Sequence, residues 1–73
     1  MLLKDMKPGE SGTIVKINTS AGAQRLFDLG FFPGTKISVV RNAPLKDPME
    51  CSVDGRRVTV RRCEVEGVEV APE

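Results

Sequence analysis

The sequence predicts a mainly β protein: a small barrel of about five short strands with one short helix inserted. Three observations lead there. Apolar and polar residues alternate in short runs along most of the chain, the signature of half-buried strands. Pairs suited to tight turns, Pro8-Gly9, Pro33-Gly34 and Asp54-Gly55, punctuate those runs. Only one stretch, Ala21–Leu29, carries helical spacing, so strands and helices do not alternate as a parallel sheet would require. A barrel is the simplest closure, because it removes exposed edges.

In chain order, Leu2–Met6 leads into the Pro8-Gly9 turn. Gly12–Ile17 follows as a half-buried first strand with Ile14 inward. Ser20 is a reasonable N-cap for the helix Ala21–Leu29. That helix makes about two and a half turns and would not hold alone in water, so packing of Leu26 and Leu29 must stabilise it. Gly30 suits the left-handed C-cap, and Pro33-Gly34 fits the middle of a type II turn. Lys36–Val40 is rich in β-branched residues and forms the second strand. Asn42–Pro48 contains Pro44 and Pro48, which cannot donate ladder hydrogen bonds, and reads as a loop.

The hairpin Met49–Arg62 is the clearest local feature. Asp54-Gly55 fits a two-residue type I′ turn, where both positions need φ > 0. That turn sets the register: Val53 opposite Arg56, Cys51 opposite Val58, Met49 opposite Val60. Met49, Cys51, Val53, Val58 and Val60 then share one face, with Glu50, Ser52, Arg57, Thr59 and Arg61 on the other. Cys63 falls by parity on the face opposite Cys51, so the two do not pair. The last run, Glu64–Val70, turns Val68 and Val70 inward, with a bulge or bend at Val65-Glu66-Gly67.

The totals restrict the function classes. Seventy-three residues make one domain, 1–73, with a thin core. Eleven basic against ten acidic residues give +1, which argues for neither nucleic acid nor a membrane surface as partner. Without Tyr or Trp, and with three Phe, the chain is poor in stacking groups, so a nucleic-acid-binding barrel is the weaker alternative. There is no histidine, which removes the usual near-neutral proton shuttle, and no nucleophile–base pairing or G-x-x-x-x-G-K-[ST] loop. An enzyme is therefore not expected. The start lacks an apolar signal core and no run is long enough to span a bilayer, so a cytoplasmic location without membrane insertion is expected. Two cysteines without a C-x-x-C pair suit free thiols in a reducing compartment, and no cofactor is expected.

The ordered set Arg25-Leu26, Leu29-Gly30, Pro33-Gly34, Ile37, Val39, Ala43-Pro44-Leu45, Asp47-Pro48, Gly55, Val60-Arg61-Arg62, Glu64 and Val70, preceded by Leu3, Met6, Pro8-Gly9, Gly12 and Ile14, resembles the FeoA family from end to end. Val58, Val60 and Val65 depart from residues common there, as volume changes in a core. The resemblance implies an SH3-like β-barrel. It also implies a cytosolic accessory of FeoB, a membrane ferrous-iron transporter with a GTP-binding domain. Related domains form the C-terminal part of iron- and manganese-responsive repressors, so a free-standing relative of those is a further alternative. The family supplies no catalytic residue to carry over.

Two groups are candidates for partner binding. Arg56, Arg57 and Arg61 could form a docking patch for a carboxylate or phosphate, both of which guanidinium binds bidentately. The competing reading is a solvated strand face balanced by Glu50 and Glu64. Of Phe31 and Phe32, one is expected in the core; the other, if exposed, is a natural anchor. The competing reading has both buried or partly covered by the Asn42–Pro48 loop. Self-association is compatible with either group. Cys63 with Glu64 or Glu66 offers at most two metal ligands, a set suited to weak transition-metal binding and not to a built site.

Overall fold

The computed structural model describes residues 1–18, 23–42 and 47–73. Five strands, β1 (Ser11–Ile17), β2 (Lys36–Asn42), β3 (Met49–Val53), β4 (Arg56–Val60) and β5 (Val68–Pro72), form one sheet in the order β4-β3-β2-β1-β5. Every neighbouring pair is antiparallel. One helix, α1 (Ala23–Asp28), lies between β1 and β2, and 3-10 turns occupy Leu3–Asp5 and Arg62–Val65. The expected cap at Ser20 and the start of the helix at Ala21 lie outside the described residues.

The turns follow the sequence closely. Gly9 and Gly34 have φ of 90° and 93°, and the Glu10 and Thr35 amides donate back to the Lys7 and Phe32 carbonyls, both at 3.0 Å. Those are the positions a type II turn assigns to glycine and to the closing bond. Asp54 and Gly55 both have positive φ, at 51° and 84°. The β3–β4 register is Met49↔Val60, Cys51↔Val58 and Val53↔Arg56, as the turn requires. The Asp47–Pro48 bond is cis.

Two expectations need correction. The hairpin ends at Val60, not Arg62, and the last strand begins at Val68, not Glu64. Local side-chain oxygens account for the difference. Glu64 Oε1 accepts the Arg61 amide at 2.8 Å and Asp47 Oδ1 accepts the Arg62 amide at 2.9 Å, so these donors are satisfied in a turn and not in a ladder. Val65 still reaches the core from that turn.

The second correction concerns closure. Among the described residues no ladder joins β4 to β5, so the curled sheet keeps two end strands. The outer edge of β5 is covered by the first two residues: the Val70 amide donates to the Met1 carbonyl at 2.7 Å, and Leu2 bridges Glu69. The Arg62–Val65 turn leads directly from β4 to β5, and Arg62 Nη1 donates to the Lys4 carbonyl, tying the two 3-10 turns together. On the β4 side, α1 is held by Arg25, which pairs with Glu64, and by its Leu29 end, which accepts from Arg56.

The core takes residues from every strand, from α1 and from both 3-10 turns. Leu3, Met6, Ile14, Leu26, Phe31, Ile37, Val39, Met49, Cys51, Val53, Val60, Val65, Val68 and Val70 are all buried. One backbone contact sets the curvature of the sheet. A Cβ at Gly12 would lie 2.4 Å from the Ala71 carbonyl oxygen and 2.6 Å from Val70 Cγ1, so β1 and β5 approach more closely than any other residue allows. Gly12→Ala must push β5 away, because the nearer obstacle is main chain. We expect a loss of about 2–4 kcal/mol in unfolding free energy with an unchanged denaturant slope, measured by urea titration followed by circular dichroism.

Candidate functional site

The exposed aromatic residues are placed by the connection between α1 and β2. Leu26 faces the core from α1, and Gly30, with φ of 96°, ends the helix. The Leu29, Gly30 and Phe31 amides return to carbonyls of residues 25–27, closing the helix end. Phe31 is then fully buried while Phe32, the next residue, is 49% exposed. Phe31 therefore cannot act as a surface anchor, and of the two candidates only Phe32 is available.

Phe32 does not stand alone. Its ring stacks on that of Phe27, with centroids 5.6 Å apart and planes 6° from parallel, and Phe27 is itself 38% exposed. Sequence reasoning passed over Phe27, although a signal was present. On a helix whose Leu26 and Leu29 point inward, residue 27 falls about 100° from Leu26 and about 160° from Leu29, off the apolar face, where an aromatic ring is left towards solvent.

The arginines divide. Arg56 and Arg57 are consecutive on β4 and point to opposite sides of the sheet. Arg56 Nη2 donates to the Leu29 carbonyl at 3.2 Å and lies 2.5 Å from where a Cβ on Gly30 would be. Arg57 Nη1 pairs with Glu50 Oε2 at 2.9 Å, and Arg41 Nε takes the other Glu50 oxygen, also at 2.9 Å. Arg61 is exposed at the end of β4. The structure thus groups Arg57 with Arg41 and Glu50 on the outer face and sends Arg56 to the aromatic loop.

These ion pairs set the electrostatics. The Arg41 hydrogen bond, opposed by desolvation and supported by the Arg57 contacts after it, holds the Glu50 carboxyl below its ordinary value. The Arg61 amide, and after it Arg25 at 2.6 Å, does the same for Glu64. In the core, burial pushes the Cys51 thiol up to about 11. Cys63 is exposed and, like Cys51, unbonded. Among the described residues no group of three or more His, Cys, Asp or Glu side chains stands together so as to hold a metal ion, and Cys63, Glu64 and Glu66 do not make one. No helix among them is long and apolar enough to cross a membrane.

The geometry defines a small antiparallel β-barrel domain whose distinguishing features are surfaces: an aromatic stack and an arginine–glutamate cluster. The chain belongs to the FeoA domain family, whose profile matches residues 1–72. It is 31% identical over 71 residues to a Porphyromonas gingivalis Fe(2+) transport protein A/Fe(2+) transporter FeoB fusion protein, covering 96% of this chain but 8% of that relative's length. Among solved structures it resembles FeoA from Chlorobium tepidum, with 37% identity and a TM-score of 0.88 over 99% of this chain and 70% of that one. It also resembles the zinc complex of Stenotrophomonas maltophilia FeoA, described as a prokaryotic SH3-domain protein, with 26% identity and a TM-score of 0.83 over 97% and 89% of the two chains. The SH3-like barrel expected from the sequence is thus the observed fold.

Two outcomes follow from the electrostatics. A thiol reagent applied to the native protein near pH 8 should consume Cys63 at once and Cys51 only on unfolding, because little Cys51 thiolate forms and its sulfur is covered. Time-resolved release of the coloured product, with and without denaturant, checks this. Glu50 and Glu64 both have folded-state values below the unfolded 4.5. Their stabilisation is present above that value and is lost as pH falls through the depressed folded values. Both pairs are exposed, so the effect is small and screened by salt. The thermal midpoint should fall on acidification below about pH 4.5, less steeply in Glu64→Gln and in about 1 M salt.

Proposed function

We propose that this protein is a non-enzymatic accessory of ferrous-iron uptake, acting by docking on the cytosolic part of a FeoB-type transporter. The observation supporting this is the fused relative, in which a domain similar to this chain is covalently joined to such a transporter. A tether replaces affinity with high local concentration. Joined or separate, such a domain needs a contact surface through which to act on the transporter. Such a surface would bias the conformations or the assembly of the transporter, and it requires no reactive group. The absence of histidine from the sequence agrees with a binding role. Of the residues expected at that contact, Phe32, Arg56, Arg57 and Arg61 are exposed.

The test is a pull-down of the full chain against the detergent-solubilised transporter and against its cytosolic GTP-binding domain, each with GDP and with a non-hydrolysable GTP analogue. Retention by at least one form is the expected result. Retention that changes with nucleotide ties docking to the GTPase cycle, and equal retention assigns the chain a constitutive role. Failure to bind any form overturns the proposal.

A further inference from the structure

We infer that the docking epitope is the Phe27–Phe32 ring pair together with Arg56, and that its occupant is a segment of the transporter's cytosolic part presenting an apolar side chain next to a carboxylate. This rests on the docking role proposed above and specifies its chemistry.

Two rings stacked nearly parallel on the surface, 38% and 49% exposed, leave apolar area in water. Other exposed apolar side chains, such as Val15 at 52%, lack an aromatic partner and are ordinary. The stack is also held from both sides. Behind it, the Gly30 cap returns the chain to the helix end, and the Phe31 amide donates to the Leu26 carbonyl at 2.9 Å. Ahead of it, Phe32 is the first residue of the Pro33-Gly34 turn, closed by the Thr35 amide at 3.0 Å. The rings further restrict one another. A partner meeting this platform has little backbone or rotamer freedom to remove, which is what makes rigid aromatic residues good anchors.

Arg56 supplies the polar half. Its guanidinium lies against Leu29 and Gly30, the residues that link Phe27 to Phe32, and it engages a neutral carbonyl there. Arg25, Arg41 and Arg57 are each paired with a glutamate, whereas Arg56 has no carboxylate partner among the described residues. Among the described residues its charge therefore has no ion-pair partner, and it sits on the same helix-end connection that carries the two rings. The complementary ligand carries an aliphatic or aromatic side chain for the rings and a carboxylate for Arg56.

The probe is the transporter's cytosolic domain, titrated against the full chain by isothermal calorimetry at low and moderate salt. Phe27→Ala and Phe32→Ala should each weaken binding about tenfold or more, with the double variant less than additive because the rings act as a unit. Arg56→Gln should weaken it several-fold and flatten the salt dependence, Arg56→Lys should restore part of both, and Val15→Ser should bind as the parent does. Circular dichroism and amide spectra confirm that each variant folds. Folded phenylalanine variants that bind normally overturn the epitope while leaving docking intact. An unchanged salt dependence in Arg56→Gln overturns the carboxylate contact. Concentration-dependent self-association abolished by Phe32→Ala would assign the platform to a second copy and overturn the inference. No binding by the parent chain to this domain overturns the inference, and the docking role falls with it only if the full-length transporter also fails to retain the chain.

Discussion

Phe31 is the largest side chain with no exposed surface, and the connection from α1 to β2 is built around keeping it there. Full burial of such a ring is worth about 2–3 kcal/mol, a large share of what a chain of 73 residues can hold in reserve. To put it inside, the helix must stop at Leu29, the chain must reverse through a left-handed Gly30, and β2 must start a few residues later. The Pro33-Gly34 turn makes that start possible, and Gly34 and Ile14 share a backbone hydrogen bond of 2.7 Å that docks the turn on β1. Burial of one ring therefore positions the helix, the turn and the start of a strand.

The exposed stack is a consequence of the same constraint. With Phe31 inside and the turn beginning at residue 32, the Phe32 ring has no place in the core, and Phe27 on the helix flank is the group within reach. The stack recovers part of the lost apolar contact without closing the surface. Arg56 completes the arrangement: it reaches the carbonyl that the helix end leaves over and so holds a positive charge at the connection between the rings. The helix cap, the ring stack and the Arg56 contact thus coincide in a few residues around the end of α1.

The sheet is finished by different means at its two ends. At β5 the first residues of the chain add main-chain hydrogen bonds, and at β4 the neighbours are α1 and a 3-10 turn. A continuous ladder would have demanded strand pairing through residues 61–67. Glu64 and Asp47 instead satisfy the Arg61 and Arg62 amides locally, and the turn costs no buried donor. A 3-10 turn can still deliver Val65 to the core, so the barrel is filled although its hydrogen bonding is not continuous.

Local chemistry was enough for the turns, the hairpin register and most of the core. Each depends on backbone preferences of a few adjacent residues, such as Asp54-Gly55, or on a period-two pattern that does not need the rest of the chain. The sequence by itself also placed one of Phe31 and Phe32 in the core and left the exposure of the other open. Only the tertiary structure decided which one. It decided as well that Phe27 would join the exposed ring, that Arg56 would leave the arginine run for the helix end, and that Arg57 would be shared with Arg41 through Glu50. The arginine contacts join residues 7 to 27 positions apart, across strands or between strand and helix, and the ring stack depends on how the chain leaves the helix. The 3-10 turn at Arg62–Val65 belongs to the same class, because the Asp47 carboxylate that helps hold it comes from the other end of the hairpin.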